Sequence, residues 1–298
     1  MKKISYSILP TEKPNRRSKH IDRLPIEKIV ELINREDQKV PRAVSKVKKP
    51  IKIGVKMIVR TIKTGGKIYF AGAGTSGRLG VLEAAECPPT FNTSPSLIQA
   101  HIAGGKKAVF RSVEGAEDGQ DDAYRFFKKK IKKQDLLVGI AASGVTPFVK
   151  GALEAARHTG AGTILIACNS SSPLKQTADC LISPKVGPEV ITGSTRLKAG
   201  TATKMILNTL TVTSMIQLGK VYQNWMVDLQ PKNKKLTARA VRMIELLGSV
   251  SSSEARSYLE KSKRNVKLAI LMAKKGWDLK SASEKLKQKS GFLRDLLH

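Results

Sequence analysis

Two strings of small and hydroxyl-bearing residues carry the clearest chemistry in this chain. Gly72-Ala73-Gly74-Thr75-Ser76-Gly77 follows an apolar strand-like run and opens a helix-like one. Glycines let the backbone approach an anion, and a helix start adds free N–H groups and a partial positive charge. A dinucleotide site would also need an acid at the end of the next strand to hold the ribose, about 20 residues on. That place is filled by Ala103-Gly104-Gly105, with no acid. A nucleotide-triphosphate loop fails too, because Arg78-Leu79 stands where Lys and a hydroxyl are required. What remains suits a single phosphate, with Gly74, Thr75 and Ser76 against it. Ala141-Ala142-Ser143-Gly144-Val145-Thr146-Pro147 repeats the arrangement, with Ser143, Gly144 and Thr146 near a helix start. Either loop alone is also explained as a helix cap. Two such loops at strand C-termini of one parallel sheet would converge on one crevice, which favours a phosphate-monoester site.

Carboxylates stand close by in sequence. Glu86 precedes Cys87-Pro88-Pro89-Thr90, at the expected end of the helix that starts on the first loop. An acid at a helix C-terminus opposes the helix dipole, so its placement calls for another reason. Val113-Glu114-Gly115-Ala116-Glu117-Asp118 holds three acids in a turn before a further helix, where acids are also ordinary N-terminal residues. Moving a proton next to a carbonyl needs a base and often an acid, and two Glu side chains serve. Composition does not say which does what.

The elements that must position these groups alternate. Short apolar runs at 67–71, 97–103, 136–141 and 163–168 read as strands, separated by helical patterns at 78–86, 121–133 and 147–159 and followed by a long helix at 199–218. Such alternation predicts an α/β fold, a doubly wound parallel sheet covered by helices on both faces. Upstream, residues 1–20 read as an extended polar arm, 25–34 as a helix and 40–64 as a second one ending at Gly65-Gly66. Beyond Asp228 the chain is helical and basic, near 236–247, 252–261, 265–275 and 279–288, with starts expected at Ser251-Ser252-Ser253-Glu254 and Ser281-Ala282-Ser283-Glu284. The expected division is an N-terminal arm and helix (1–50), a sugar-phosphate-binding domain (51–230) and a small helical domain (231–298), resembling a ubiquitin-associated bundle.

Composition narrows the classes. The 298 residues carry a net charge of +30, but it spreads over the chain: about +8 in residues 1–50, +11 in 51–230 and +11 in 231–298. The densest run, Lys128-Lys129-Lys130-Ile131-Lys132-Lys133, ends a helix, and basic and aromatic residues do not interleave as in base-stacking proteins. Specific nucleic-acid binding is therefore not expected; a generally basic proteome or attraction of anionic substrates explains the balance as well. No run is apolar enough to span a membrane. The start, Met1-Lys2-Lys3-Ile4-Ser5, is followed by Pro10 and Arg16-Arg17 where a secretory signal would be apolar, so a cytoplasmic setting is expected. Cys87, Cys168 and Cys180 are odd in number and widely spaced, and His20, His101, His158 and His298 are scattered. Reduced thiols and no metal site are expected.

The assembled strings resemble the N-acetylmuramic acid 6-phosphate etherases, members of the sugar-isomerase (SIS) superfamily. The resemblance runs from about Thr11 to the C-terminus, through Ile21-Asp22-Arg23-Leu24, the run 71–90 (AGAGTSGRLGVLEAAECPPT), VEGAED at 113–118, GIAASGVTP at 139–147, VGPEVITGSTRLKAGTA at 186–202, Gly219-Lys220-Val221-Tyr222 and Met226-Val227-Asp228. It implies cleavage of the D-lactyl ether of N-acetylmuramic acid 6-phosphate, a carbon–oxygen lyase reaction in cell-wall amino-sugar recycling. It also implies no cofactor and a homodimer whose sites take residues from both copies. By motif position Glu86 resembles the proton donor to the leaving lactate and Glu117 the second acid/base residue, with Glu83 and Glu114 structural. Ser194, Thr195, Arg196 and Lys198 lie in another family string, and Ser194 and Lys198 are placed with the substrate-binding residues. Two departures stand out: Val145 replaces the usual Arg, and Cys168-Asn169-Ser170-Ser171-Ser172 replaces Cys-Asn-Pro-Gly-Ser. An aldose–ketose isomerase and a sugar-phosphate-binding regulator, as the glucokinase regulatory protein is, are the alternatives on the same fold.

Overall fold

The computed structural model describes residues 9–297. The first eight residues of the expected arm, and His298, lie outside the described residues. The chain divides into two compact units: one holds residues up to 85 and 96–211, the other 86–95 and 212 onward.

The first unit is an α/β layer structure. Its sheet has five parallel strands, β1 (Ile68–Gly72), β2 (Ile98–Ile102), β3 (Leu136–Ile140), β4 (Gly162–Ile166) and β5 (Cys180–Ile182), in the order β2-β1-β3-β4-β5. Every residue of β1 and β3 is buried, as apolar runs without alternation require when both faces are covered. On one face, Tyr69, Leu137 and Leu165 pack with Phe127, Val149 and Leu153 into a dry cluster. The helices of this unit are α1 (Ile26–Asp37), α2 (Lys39–Ser45), α3 (Lys48–Lys63), α4 (Gly74–Phe91), α5 (Lys107–Phe110), α6 (Gln120–Lys130), α7 (Pro147–His158) and α8 (Lys198–Gln217), α4 and α8 continuing into the second unit.

Three expectations change, and one strand is added. Residues 40–64 form two helices, because Pro50 lacks an N–H and suits only a first helical turn, where α3 accommodates it. Helix α4 does not stop at Glu86 but continues through Pro88 and Pro89 to Phe91, so Glu86 does not stand at a helix end. The arm is not merely extended: from Leu9 it carries turns, with short 3₁₀ segments at Arg16–Ser18 and Ile21–Arg23, and Leu9, Thr11, Asn15 and Ser18 are buried. Strand β5 has three residues, too few for a recognisable pattern.

In the second unit, α9 (Lys234–Gly248), α10 (Ser252–Lys261), α11 (Val266–Lys275) and α12 (Leu279–Gln288) occupy the expected places, with a short α13 (Arg294–Leu297) added. Helix α9 packs on α10 and α11, around Val241, Ile244, Leu259 and Ile270. Ser251 and Glu254 make a capping box at the start of α10. The next start lies earlier than Ser281: the Asp278 side chain accepts from the Ser281 N–H and caps α12 at Leu279.

Candidate active site

In a doubly wound sheet the crevice opens where neighbouring strands send their connections to opposite sides. Here that place lies between β1 and β3, which pair directly although β2 intervenes in sequence. The loops leaving these strands are the two hydroxyl-bearing strings. A cavity of about 480 Å³ sits there, lined by Gly74, Thr75 and Ser76 from the first and by Ser143, Val145 and Thr146 from the second. Glu117 and Asp118 also line it, from the 3₁₀ turn before α6, with Gly193 and Thr195 from the segment before α8 and Leu9 and Glu12 from the arm.

The first loop enters its helix abruptly. Gly74 has φ +50°, and a Cβ at Gly77 would lie 2.7 Å from the Gly72 carbonyl oxygen and 2.5 Å from the Ile102 side chain. The third glycine of the string therefore lets α4 start against β1 and β2. Arg78 points its Nε at the Val109 carbonyl, 2.9 Å away, and so braces the loop that follows β2.

The second loop is held from behind. Asn169 Nδ2 donates to the Ser143 carbonyl at 2.9 Å, and the Ser172 hydroxyl donates to the Gly144 carbonyl. Gly144 has φ +74°, and a Cβ there would come within 2.6 Å of the Ser172 Cβ. Thus the Asn169–Ser172 segment buttresses the loop, and Gly144 supports it from below instead of lining the cavity. Val145 is buried and lines the cavity. Nearby Cys168 is buried too; burial, reinforced by the Glu189 carboxylate, pushes its thiol up to about 12, so it is no nucleophile.

The hydroxyls are not consumed by capping. Thr146 occupies the N-cap of α7 without a side-chain cap bond, and neither Thr75 nor Ser76 makes a side-chain hydrogen bond among the described residues. Ser143 Oγ accepts only a long contact of 3.4 Å from the Val145 N–H. These groups face the cavity with their hydrogen-bonding capacity free.

Not every expected residue reaches this cavity. Lys198 is buried, and its Nζ donates to Glu36 Oε2 at 2.7 Å and to the Pro188 carbonyl at 2.6 Å. Glu36 also accepts from Asn15 Nδ2 at 3.0 Å and from Lys39. Burial alone would raise the Glu36 carboxyl, but these donors outweigh it and hold it at about 2. The Glu189 carboxylate meanwhile caps α8, accepting from the N–H groups of Lys198 and Ala199 at 3.0 and 2.9 Å. The ammonium of Lys198 is thus spent on fixing the segment that brings Gly193 and Thr195 to the cavity, and it lines no part of it. Ser194 does not line it either; its N–H closes a turn onto the Ile191 carbonyl.

The carboxylates divide in the same way. Glu83 is buried and accepts from Lys204 Nζ at 2.6 Å and from the Thr211 hydroxyl, a structural pairing. Glu114 is exposed and accepts from the Ser112 hydroxyl at 3.0 Å. Glu117 is exposed to the cavity. Glu86 belongs to the second unit, where it is exposed and has no hydrogen-bond or ion-pair partner among the described residues. Glu12 carried no signal in the sequence, since it sits some 60 residues before the first loop in an arm without periodicity. Among the described residues no cluster of His, Cys, Asp or Glu could hold a metal, and no helix is long and apolar enough to cross a membrane.

Comparison with known proteins agrees with this architecture. The family described as the glucokinase regulatory protein N-terminal SIS domain matches residues 51–157, and the SIS domain family matches residues 115–213. An N-acetylmuramic acid 6-phosphate etherase from Geobacillus thermodenitrificans is 46% identical over 97% of this chain and 98% of its own. N-acetylmuramic acid 6-phosphate etherase 2 of Vibrio cholerae is 50% identical over 97% and 95%. Among solved structures, a putative phosphosugar isomerase involved in capsule formation from Bacteroides fragilis superposes with a TM-score of 0.49 at 25% identity, covering 64% of this chain and 90% of that one. With near-complete coverage at such identity, the chain belongs to the N-acetylmuramic acid 6-phosphate etherase family.

Proposed function

We propose that this protein cleaves the D-lactyl ether of N-acetylmuramic acid 6-phosphate, giving N-acetylglucosamine 6-phosphate and D-lactate. The single observation that carries this reading is the cavity at the switch point, where Thr75, Ser76, Ser143 and Thr146 gather free hydroxyls beside Glu117. The hydroxyls and the N–H groups at the start of α4 take the phosphate. In the open-chain sugar the C1 aldehyde acidifies the C2 proton, and the Glu117 carboxylate removes it. The C3–O bond then breaks, and Glu86 gives a proton to the departing lactate oxygen. Water adds across the resulting C2–C3 double bond, returning a hydroxyl to C3 and a proton to C2, so no redox change occurs.

In this reading the working form is a homodimer, and Glu86, exposed and without a partner among the described residues, serves a site completed by a second copy of the chain. An apolar stripe supports self-association: Ile26, Val30 and Ile33 recur at helical spacing on α1 and stand 76%, 61% and 36% exposed. The setting is the reducing cytoplasm, in keeping with three buried cysteines far apart in the sequence. The match of residues 51–157 to a regulatory protein's domain favours one second reading, binding of a sugar phosphate without turnover. Purified protein incubated with N-acetylmuramic acid 6-phosphate separates the two: etherase activity releases D-lactate and N-acetylglucosamine 6-phosphate in equal amounts, whereas a sensor binds and releases nothing.

A further inference from the structure

We infer that Glu12 contacts the substrate directly, accepting hydrogen bonds from O–H or N–H groups of the sugar and so setting affinity for the sugar and not for its phosphate. The inference rests on the etherase reading of the cavity. Glu12 lines that cavity with Leu9, although both come from the arm before the first helix.

The arm is pinned where it delivers this carboxylate. Leu9 and Thr11 are buried, and the Glu12 N–H closes a turn onto the Leu9 carbonyl at 3.0 Å. Three residues on, buried Asn15 bridges Glu36 and the Pro188 carbonyl, at 3.0 and 3.1 Å. These contacts fix the backbone on both sides of Glu12, so its carboxylate arrives with little freedom left to lose on binding.

The carboxylate itself is little used by the fold. In a chain with 54 Lys and Arg, it has no ion pair among the described residues; its one side-chain partner is the Thr11 hydroxyl, 3.2 Å from Oε1. Oε2 packs against Gly193, where an added Cβ would lie 3.0 Å away; that residue has φ +77° and leaves room for the carboxylate. An ionised carboxylate only accepts hydrogen bonds. Beside a phosphate-binding wall it repels the dianion, and only ligand donors compensate. A sugar carrying hydroxyls and an amide N–H supplies them; inorganic phosphate does not.

The test is steady-state kinetics of Glu12→Gln and Glu12→Ala with N-acetylmuramic acid 6-phosphate, and with inorganic phosphate as competitive inhibitor. Glu12→Ala is expected to raise KM about tenfold, Glu12→Gln less, with phosphate inhibition unchanged or tighter in both. A KM that stays the same or falls in both variants, as a bystander that merely repels phosphate would give, overturns the inference. Thermal melting identifies any variant that fails to fold, and the isosteric Gln variant decides if Ala does. If the wild type releases no lactate, the etherase reading fails by itself. Calorimetric binding of N-acetylglucosamine 6-phosphate then decides: weakening in the variants upholds the Glu12 contact, and unchanged binding overturns it.

Discussion

Both units close polar groups into the fold, but the α/β unit also leaves a set of them open on its cavity walls. In the helical unit polar groups are consumed by the fold: Asn233, Ser251, Asn265 and Asp278 each cap a helix, and buried Lys267 donates to Asp228 and to the Gly291 carbonyl, both at 2.9 Å. In the α/β unit Thr75, Ser76, Thr146, Glu117 and Glu12 lie on cavity walls, with Glu12 bonded only to Thr11. A side chain whose hydrogen bonds close within the fold contributes stability, and one left open contributes to binding or chemistry. Glu86 is the exception in its unit, exposed and without a partner among the described residues. Substitutions should therefore change rate or stability, seldom both.

The largest effect is expected at the open carboxylates. Glu117→Gln should lower kcat by about 10²–10⁴ while leaving the melting temperature within a degree or so, because no internal partner is lost. Glu86→Gln should do the same, and its normal turnover would remove Glu86 from the chemistry. In the helical unit the reverse holds. Asp228 pairs with Lys267 and, at 3.1 Å, with Lys220. Asp228→Asn leaves a buried ammonium short of its counter-charge, which should cost about 3 kcal/mol, read as a lower denaturation midpoint. Turnover per folded molecule at 25 °C should be unchanged.

A third prediction concerns pH. His101 packs among Tyr69, Phe126 and Phe127, and its Nε2 is buried without a hydrogen-bond partner among the described residues. Burial, aided by Lys130, lowers its pKa from 6.5 to about 4. Between those values the unfolded chain binds more protons, so this stability is fully present above 6.5 and is lost as pH falls through 4. Discounted for the partial exposure of the ring, the contribution is on the order of 2–3 kcal/mol. His101→Phe should flatten the stability profile across that window in urea titrations, and an unchanged slope would remove His101 as its source.

The smallest effects give the sharpest contrast, since two hydroxyls occupy equivalent helix starts. Ser251→Ala loses a capping box and should cost about 1 kcal/mol of stability with no change in KM. Thr146→Ala loses no cap bond, so it should raise KM about threefold to tenfold and leave melting unaltered. Equal melting shifts in the two variants would erase the distinction between the units.

Legibility in the sequence followed the range of the interactions. The alternating core, both loops and the helical tail were readable because each is written in contiguous residues: an apolar run, a glycine string, a capping box. The turn that carries Glu117 was readable as three acids before a helix, but only the resemblance singled out Glu117 among them. Glu12, Gly193 and Thr195 reach the cavity through the fold; Gly193 and Thr195 share one of the strings that drew notice, and Glu12 lies in none. Lys198 was placed with the substrate-binding residues because it lies in a string shared with the family the chain resembles. Its carboxylate partner is Glu36, 162 residues away, and no local spacing reports such a pairing. The break between α2 and α3 turned on Pro50 alone, and β5 was too short to register.

The measurement that tests the central claim most directly is D-lactate release from N-acetylmuramic acid 6-phosphate by the purified protein, alongside Glu117→Gln and a heat-denatured control. Stoichiometric lactate and N-acetylglucosamine 6-phosphate from the wild type, with release lost in Glu117→Gln, is the predicted result. Tight binding of the same sugar phosphate without release, or full release by Glu117→Gln, would contradict it.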